Sequence, residues 1–573
     1  MTISKLLVAN RGEIAARVLR TAKARGLETA VLRHVAEQEG PAHLIADEVV
    51  MIDGPTPVAA YLDIPQIVEA AKGIGADAVH PGYGFLSENA GFVAALERAG
   101  VTFVGPTSEV IDLMGDKVRA RAFVEERGFP VAPSAIEDDD PASFVERARA
   151  VGYPLLIKPS AGGGGKGMRV VREDSTLETE IETARREGER YFGDGRLFVE
   201  RYIERPRHIE VQVMGDGQGN VVHFWERECS IQRRFQKIIE ETPSPALTPE
   251  QRGEICETAA GIARAVNYRG AGTVEFIYAQ DGAFYFLEMN PRLQVEHPVT
   301  ELITGVDLVE QMIRSAWGEE LNISQKDLKI RGWAIESRIY AEDPYRGFLP
   351  SIGRLVRYDQ PREGEQDGYL VRNDSGVREG DEISMFYDPM IAKLIVHADS
   401  RKQAIGAMRS ALAQSGVLGV VTNLGFLQSI MRHPDFEEGK TDTLFVDSQL
   451  ESLLPKDKDS ANWVCWGTAI SCLLKDFADS ENKALKSMDP CSPWNSLGNW
   501  RAGIQEPHRV QLRNQQGTET EVKAFEENNT FRILRETGEI SVTVSPHADL
   551  LDLTWNSEGL EEYGRHLLVL QHD

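Results

Sequence analysis

The sequence predicts an α/β protein: a parallel sheet with helices on both faces, then a strand-rich centre, then a small, mostly β domain led by one helix. Three observations carry this. Over roughly the first hundred residues, short apolar runs alternate with helical patterns, the texture of repeated β-α units. A run of glycines between Lys158 and Lys166 stands between two apolar strand patterns. Past about residue 448 the pattern changes to short alternating strands broken by turn formers.

The elements follow in order. KLLVAN (Lys5–Asn10) reads as a buried strand, and RGEIAARVLRTAKARG as a helix with Ile14, Val18 and Leu19 on one face and Gly26 as its stop. ADAVHPGYG and VTFVGP continue the theme. The first turn reads NRGE rather than GxGxxG, so dinucleotide binding loses support despite the Rossmann-like start. A second region opens near Asp116-Lys117 and carries PLLIKPSAGGGGKGMRVV, a charged helix over Glu178–Arg190, and strands in LFVERYI, HIEVQVMG and NVVHFWERE. From Arg331 the texture changes to WAIESRIYAED, short strands to KLIVHAD and a helix from Arg401, with the helix-rich part ending near Phe445. ESLLPKDKDSAN reads as a linker, Trp463–Leu474 as an apolar helix, and DPCSPWNSLGNW as turns. Phe531 and Ile533 alternate, as do Ile540, Val542 and Val544, and then Leu551, Leu553 and Trp555. Asn528-Asn529 and Thr537-Gly538 are the expected hairpin turns.

Composition excludes several functions. At 573 residues the chain holds several domains, and 42% apolar residues suffice for full-sized cores. A formal charge of −26 argues against gripping nucleic acid or an anionic membrane by surface charge. An anionic substrate must then be held by a local cluster of cations. The five cysteines (Cys229, Cys256, Cys465, Cys472, Cys491) have no CxxC spacing, which points to free thiols in a reducing compartment. The amino terminus runs straight into a strand pattern, and no stretch is long and apolar enough to span a bilayer. The expected compartment is the cytoplasm, or an organelle matrix if a transit peptide has been removed.

Two stretches carry chemistry. Gly162–Gly165, flanked by Lys158 and Lys166, offers bare backbone amides and two cations to a polyphosphate, although the run is not a Walker A loop and a flexible hairpin is the plain alternative. In FYFLEMN, period two puts Glu288 and Asn290 on one face, hard oxygen ligands suited to Mg²⁺. Glu275 in GTVEFIY joins them if the two strands form a hairpin through Gln280–Ala283. Two carboxylates about 4 Å apart repel by about 4 kcal/mol at an effective dielectric near 20, so such a pair calls for a cation between them. Arg292, Gln294 and Glu296 follow at alternate positions, then His297, in a segment stiffened by Pro291 and Pro298. An arginine fork suits a small oxyanion such as bicarbonate, and a carboxylate beside it suits a general base. The alternative is an Arg–Glu surface pair worth little.

Together these residues resemble the ATP-grasp enzymes, specifically the biotin carboxylase family. The matching strings are ANRGEIA, HPGYGFLSEN, MGDK, KPSAGGGGKGM, ERECSIQRR, EMNPRLQVEHPVTE, IESRIYAEDP, FLPSIG and YDPMIAKLI, in the family's order over roughly residues 1–447. The resemblance implies a Rossmann-like domain at 1–113, an ATP-grasp domain at 114–330 with a glycine-rich lid at about 132–203, an α+β C-terminal part at 331–447, and a subunit-interaction domain at 448–573. It implies that ATP phosphorylates bicarbonate to carboxyphosphate and that the released CO₂ is captured by N1 of biotin. Carried over by position, Lys117 and Lys158 bind ATP phosphates and Gly163, Gly164 and Gly165 close over them. Glu200 and Ile203 meet the adenine, and His208 and Gln232 contact the nucleotide. Glu275, Glu288 and Asn290 hold Mg²⁺ or Mn²⁺. Lys237, Arg292, Gln294 and Val295 form the bicarbonate pocket, Glu296 is the base, Arg338 stabilises the biotin enolate, and Tyr83 lies near the biotin ring.

The chain departs from the family pattern at VLRHVAEQEG (Val31–Gly40), at Phe235, where a polar residue is usual, and at Arg201, where Lys is common. No AMKM-type biotin attachment motif occurs, so the expected biotin comes from a carrier outside this chain. The last region resembles, more loosely, the α-subunit domain that contacts a carboxyltransferase β-subunit in 3-methylcrotonyl-CoA carboxylase. A homodimer is a further expectation from the family. Other readings are an ATP-grasp ligase using an amine acceptor, or a catalytically weak scaffold subunit.

Overall fold

A computed structural model describes residues 3–137, 141–159, 168–192, 195–454, 460–486, 500–501, 504–513, 519–527, 530–535, 538–547, 550–556 and 563–569. The chain divides into two compact units, Met1–Leu454 and Pro455–Asp573.

In the first unit, β1 (Lys5–Val8), β2 (Glu28–His34), β3 (Glu48–Ile52), β4 (Ala78–His80) and β5 (Thr102–Phe103) form an all-parallel sheet in the order β3-β2-β1-β4-β5. Helix α1 (Gly12–Ala24) buries Ile14, Val18 and Leu19 against one side, and Leu7, Leu32, Val79 and Phe103 pack on the other. Both faces are therefore covered, as a buried parallel sheet requires. The turn after β4 is held to the turn after β1: Asn10 Nδ2 donates to the carbonyls of Pro81 (2.6 Å) and Tyr83 (2.8 Å). Gly82 is needed there, since its φ is +64° and a Cβ would stand 2.8 Å from Asn10 Nδ2.

A small antiparallel sheet follows, β6 (Ser134–Ile136), β7 (Leu155–Pro159), β8 (Arg169–Val171) and β9 (Leu197–Arg201), in the order β6-β9-β7-β8. The glycine run between β7 and β8 lies outside the described residues.

The centre is a nine-stranded sheet. Its first five strands are β10 (Arg207–Asp216), β11 (Val221–Arg233), β12 (Gln236–Thr242), β13 (Arg269–Tyr278) and β14 (Phe284–Asn290), and the sixth is β15 (Trp333–Tyr340). The order runs β14-β13-β10-β11-β12-β15, then Met390–Ala398, Tyr369–Ser375 and Gly364–Gln366. One sheet thus crosses the boundary expected at 330/331, because β12 pairs with β15. Strand β10 alternates cleanly. Ile209, Val211 and Val213 join the core under the helix Pro249–Ala265, and His208, Glu210 and Gln212 take the other face.

The boundary expected at 448 lies a few residues before the division between the two units. It falls inside the helix Phe445–Leu453, whose Phe445, Val446 and Leu453 are buried in the core of the first unit. A helix anchored at both ends cannot be divided between two units.

In the second unit, helix Ser460–Leu485 is longer than the expected Trp463–Leu474. Its Ala469, Ile470 and Leu473 bury against Phe531, Ile533, Ile540, Val542 and Val544 of a six-stranded antiparallel meander. Asn528, Asn529 and Thr537 lie outside the described residues, and the strands on either side pair as hairpins. Among the described residues no helix is long and apolar enough to cross a membrane. Cys229, Cys256, Cys465 and Cys472 are free thiols, and Cys491 is outside the described residues.

Candidate active site

The site grows out of register. Directly opposed residues of an antiparallel pair share a face, and the central sheet opposes Glu288 with Glu275, Glu275 with Glu210, and Glu210 with Arg227. Gln232 stands opposite Lys237, Glu240 opposite Glu336, and Arg338 opposite Lys393. One face is therefore charged from strand to strand, although most of these groups are buried. The expected hairpin of β13 and β14 is present, and it sets Glu275 against Glu288.

Lys237 is the hub. Its Nζ donates to Glu210 Oε2 (2.5 Å), Glu296 Oε1 (2.7 Å) and Glu275 Oε1 (2.9 Å). Arg338 bridges Glu240 Oε1 (2.6 Å from Nε) and Glu296 Oε2 (3.0 Å from Nη2). Burial alone would push the Glu296 carboxyl up, but Lys237, then Arg338 and Arg227, hold it well below the usual carboxylate range. Burial likewise opposes the Lys237 ammonium, and Glu210, Glu275 and Glu296 raise it well above normal. Glu240 ends up raised to about 7, chiefly by burial, even with Arg338 beside it.

The loop from Pro291 to Glu296 belongs to no helix or strand and is fixed by side chains. Arg292 donates to Glu88 Oε1 (2.8 Å), Gln294 Oε1 (2.7 Å) and Asn290 Oδ1 (3.0 Å). Gln294 Nε2 and Asn290 Nδ2 both donate to Glu275 Oε1, at 3.1 and 2.9 Å. Glu296 precedes the helix His297–Thr304 as its N-cap residue. His208 Nε2 lies 2.9 Å from Glu275 Oε2, and that carboxylate raises the imidazole against burial.

Lys117, the first residue of the helix Lys117–Glu126, reaches Glu288 Oε2 at 2.7 Å. Lys158 pairs with Glu200 across neighbouring strands β7 and β9. Ile203 is half-buried just beyond β9. Tyr83 packs at the edge of the core beneath α1, with its hydroxyl buried and unbonded. Gly163, Gly164 and Gly165 fall outside the described residues. Phe235 sits with Arg234 in the two-residue turn joining β11 to β12, at φ +68° and +48°, and is 83% exposed. Such a turn favours Asn-Gly, so a bulky residue there is strained.

Reading the sequence by itself missed Glu210, Arg227 and Glu240. Arg227 is fully buried and donates to Glu210 Oε1 (2.5 Å), Gln212 Oε1 (2.8 Å), Thr300 Oγ1 (2.9 Å) and Thr273 Oγ1 (3.1 Å). A signal existed: charged residues inside apolar alternation, as in HIEVQV and KIIEET, are costly unless they meet partners.

Comparison with known proteins gives the family. The biotin carboxylase N-terminal domain family matches residues 2–111, the ATP-binding domain of the carbamoyl-phosphate synthase L chain matches 116–324, and the biotin carboxylase C-terminal domain matches 336–448. The propionyl-CoA carboxylase alpha chain of Ruegeria pomeroyi is 51% identical over 461 residues, covering 77% of this chain and 67% of that one. The chain belongs to the biotin carboxylase family. The biotin carboxylase of Haemophilus influenzae is 46% identical, covering 78% of this chain and 99% of that one. The mitochondrial methylcrotonoyl-CoA carboxylase subunit alpha of Dictyostelium discoideum is 44% identical over 87% of this chain and 70% of its own length. Among solved structures, the biotin carboxylase domain dimer of Hydrogenobacter thermophilus 2-oxoglutarate carboxylase, in complex with MgADP, ADP and bicarbonate, covers 80% of this chain and all of its own, with a TM-score of 0.72 and 45% identity.

Proposed function

We propose that the chain is the biotin carboxylase component of an acyl-CoA carboxylase, using ATP and bicarbonate to carboxylate biotin presented by a carrier. The observation that carries this reading is the convergence of Lys237 and Arg338 on Glu296, beside the all-oxygen set of Glu275, Glu288 and Asn290.

That oxygen set fits Mg²⁺ or Mn²⁺ by donor chemistry, two opposed carboxylates with an amide oxygen on the same strand. A bound ion would neutralise the polyphosphate and the crowded carboxylates. Lys117 would turn from Glu288 to a phosphate, Lys158 would do the same from Glu200, and Gly163–Gly165 would close over the nucleotide. Glu200 and Ile203 would border the adenine, with His208 and Gln232 also contacting the nucleotide.

Arg292 is already oriented by Glu88, Gln294 and Asn290, so its fork loses little freedom on meeting bicarbonate. Lys237, Gln294 and Val295 complete the pocket. Glu296 takes the bicarbonate proton, and a bicarbonate oxygen attacks the γ-phosphorus, releasing ADP and forming carboxyphosphate. In the free protein Lys237 and Arg338 hold the Glu296 carboxyl well below the usual carboxylate range. An anion arriving beside Lys237 draws that cation away and restores basicity. Carboxyphosphate breaks to CO₂ and phosphate. Arg338 stabilises the enolate oxygen of biotin, Tyr83 borders the ring, and N1 passes its proton to the released phosphate as it takes the CO₂.

The carboxylase relatives are named as alpha chains, and a biotin carboxylase domain relative is described as a dimer. These support assembly with carboxyltransferase and carrier components and self-association. The second unit is the surface assigned to a carboxyltransferase β-subunit. Some relatives are mitochondrial and others bacterial, so cytoplasm and organelle matrix both suit the reading.

ADP release should require bicarbonate together with Mg²⁺ or Mn²⁺ and should rise with added free biotin. Turnover that instead depends on ammonia or an amine would overturn the assignment.

A further inference from the structure

Lys393 lies mid-strand in Met390–Ala398, and none of its side chain reaches solvent. A buried ammonium persists only where close partners offset the lost hydration. The shortest contact Lys393 makes is not an ion pair: Nζ donates to the backbone carbonyl of Val295 at 2.8 Å. Its carboxylates stand farther off, Glu13 Oε2 at 3.4 Å and Asp374 Oδ2 at 3.9 Å. The Tyr83 ring centroid is 5.7 Å from the ammonium, within cation–π range.

Those groups come from separate parts of the chain. Glu13 is on the first turn of α1, in NRGE, and Tyr83 is in HPGYG. Lys393 comes from MIAKLI, and Val295 is in RLQVEH. Three motifs therefore meet around the Lys393 nitrogen, which is bonded to a carbonyl of the fourth. That carbonyl lies between Gln294 and Glu296, in a loop without strand or helix bonding of its own.

We propose that Lys393 is a positioning residue for the carboxylation reaction, holding the Val295 carbonyl so that the Glu296 carboxylate and the Gln294 amide meet bicarbonate at a fixed place. The peptide group is planar, so anchoring the Val295 oxygen sets the plane of the Val295–Glu296 peptide and the starting point of the Glu296 side chain. Glu13 and Asp374 flank the Lys393 nitrogen at 3.4 and 3.9 Å, and the Tyr83 ring limits its swing. A neutral donor would hold the carbonyl less firmly, because hydrogen bonds from charged donors are the stronger ones. The inference rests on reading Gln294–Glu296 as part of the bicarbonate pocket.

The test uses the full chain with MgATP, bicarbonate and free biotin, comparing wild type with Lys393→Met, Lys393→Arg and Glu13→Gln. Folding is checked by circular dichroism and melting temperature. In Lys393→Met, kcat/KM for bicarbonate should fall about 100-fold, the cost of misplacing a reacting group by about 1 Å, while the KM for ATP stays within about twofold. Lys393→Arg should recover a substantial part, and Glu13→Gln should raise the bicarbonate KM several-fold with ATP unaffected. The proposal is overturned if folded Lys393→Met loses bicarbonate and ATP parameters by the same factor. It is equally overturned if Lys393→Met does not fold and both other variants keep a wild-type bicarbonate KM. Wild type with no bicarbonate-dependent ADP release would sink the pocket reading itself. A responsive wild type with indifferent variants sinks only the role of Lys393.

Discussion

Two buried lysines on one face of the central sheet are solvated in opposite ways. Lys237 touches three carboxylates within 2.9 Å, whereas Lys393 makes its one short bond to a neutral carbonyl and keeps its acids at 3.4 Å or more. Lys237 retains a little exposure, with 12% of its side chain accessible, and Lys393 has none. A cation shared by three anions can be drawn toward a fourth without leaving any of them bare. A cation spent on a backbone carbonyl fixes geometry and has nothing to exchange. The first arrangement suits substrate handling and the second suits support.

The largest effect should come from removing the exchangeable cation. Lys237→Met leaves Glu210, Glu275 and Glu296 buried without their shared partner, a loss on the order of 3–5 kcal/mol for one broken buried pair. The melting temperature at neutral pH should fall by several degrees and bicarbonate-dependent ADP release should vanish. A stable, active Lys237→Met protein would erase the contrast between the two lysines.

Glu296→Gln should do the reverse, removing chemistry while sparing the fold. Glutamine keeps the volume, and Lys237 still has Glu210 and Glu275. Loss of a general base typically costs about 10²–10⁴-fold, so kcat should drop in that range with nucleotide binding retained. Equal loss of MgATP affinity, measured by calorimetry, would mean that Glu296 is a structural member of the cluster only.

How much of this contrast was readable beforehand depended on distance along the chain. Glu275 and Glu288 are joined by a short hairpin, and alternation alone places them face to face. The β-α units at the amino terminus are legible for the same local reason. Glu210 and Glu275 are adjacent only because β10 pairs with β13, and no local pattern specifies that strand order. Lys393 was less visible still. In MIAKLIVHA it reads as a lone lysine in an apolar strand, and its burial follows from pairing with both Trp333–Tyr340 and Tyr369–Ser375. The Gly162–Gly165 loop is the opposite case, plain as a motif yet outside the described residues.

The smallest expected effect concerns the support end and is read in stability against pH. Burial raises the Glu13 carboxyl from 4.5 to about 7, with Lys393 only partly opposing it. The folded protein thus binds a proton that the unfolded chain has released between those values. The stabilisation from neutral Glu13 is complete below 4.5 and is lost as pH rises through about 7. The shift amounts to roughly 3 kcal/mol at 1.36 kcal/mol per unit. Glu13→Gln removes that titration and leaves an uncharged side chain of similar shape. The melting temperature of wild type minus that of the glutamine variant should therefore decrease from about pH 5 to about pH 8, and carboxyls near Lys237, such as Glu240, cancel in the difference. A difference that is flat, or that grows with pH, would mean that Lys393 keeps Glu13 ionised throughout. The support end would then be held by a full ion pair, and its contrast with Lys237 would narrow to geometry alone.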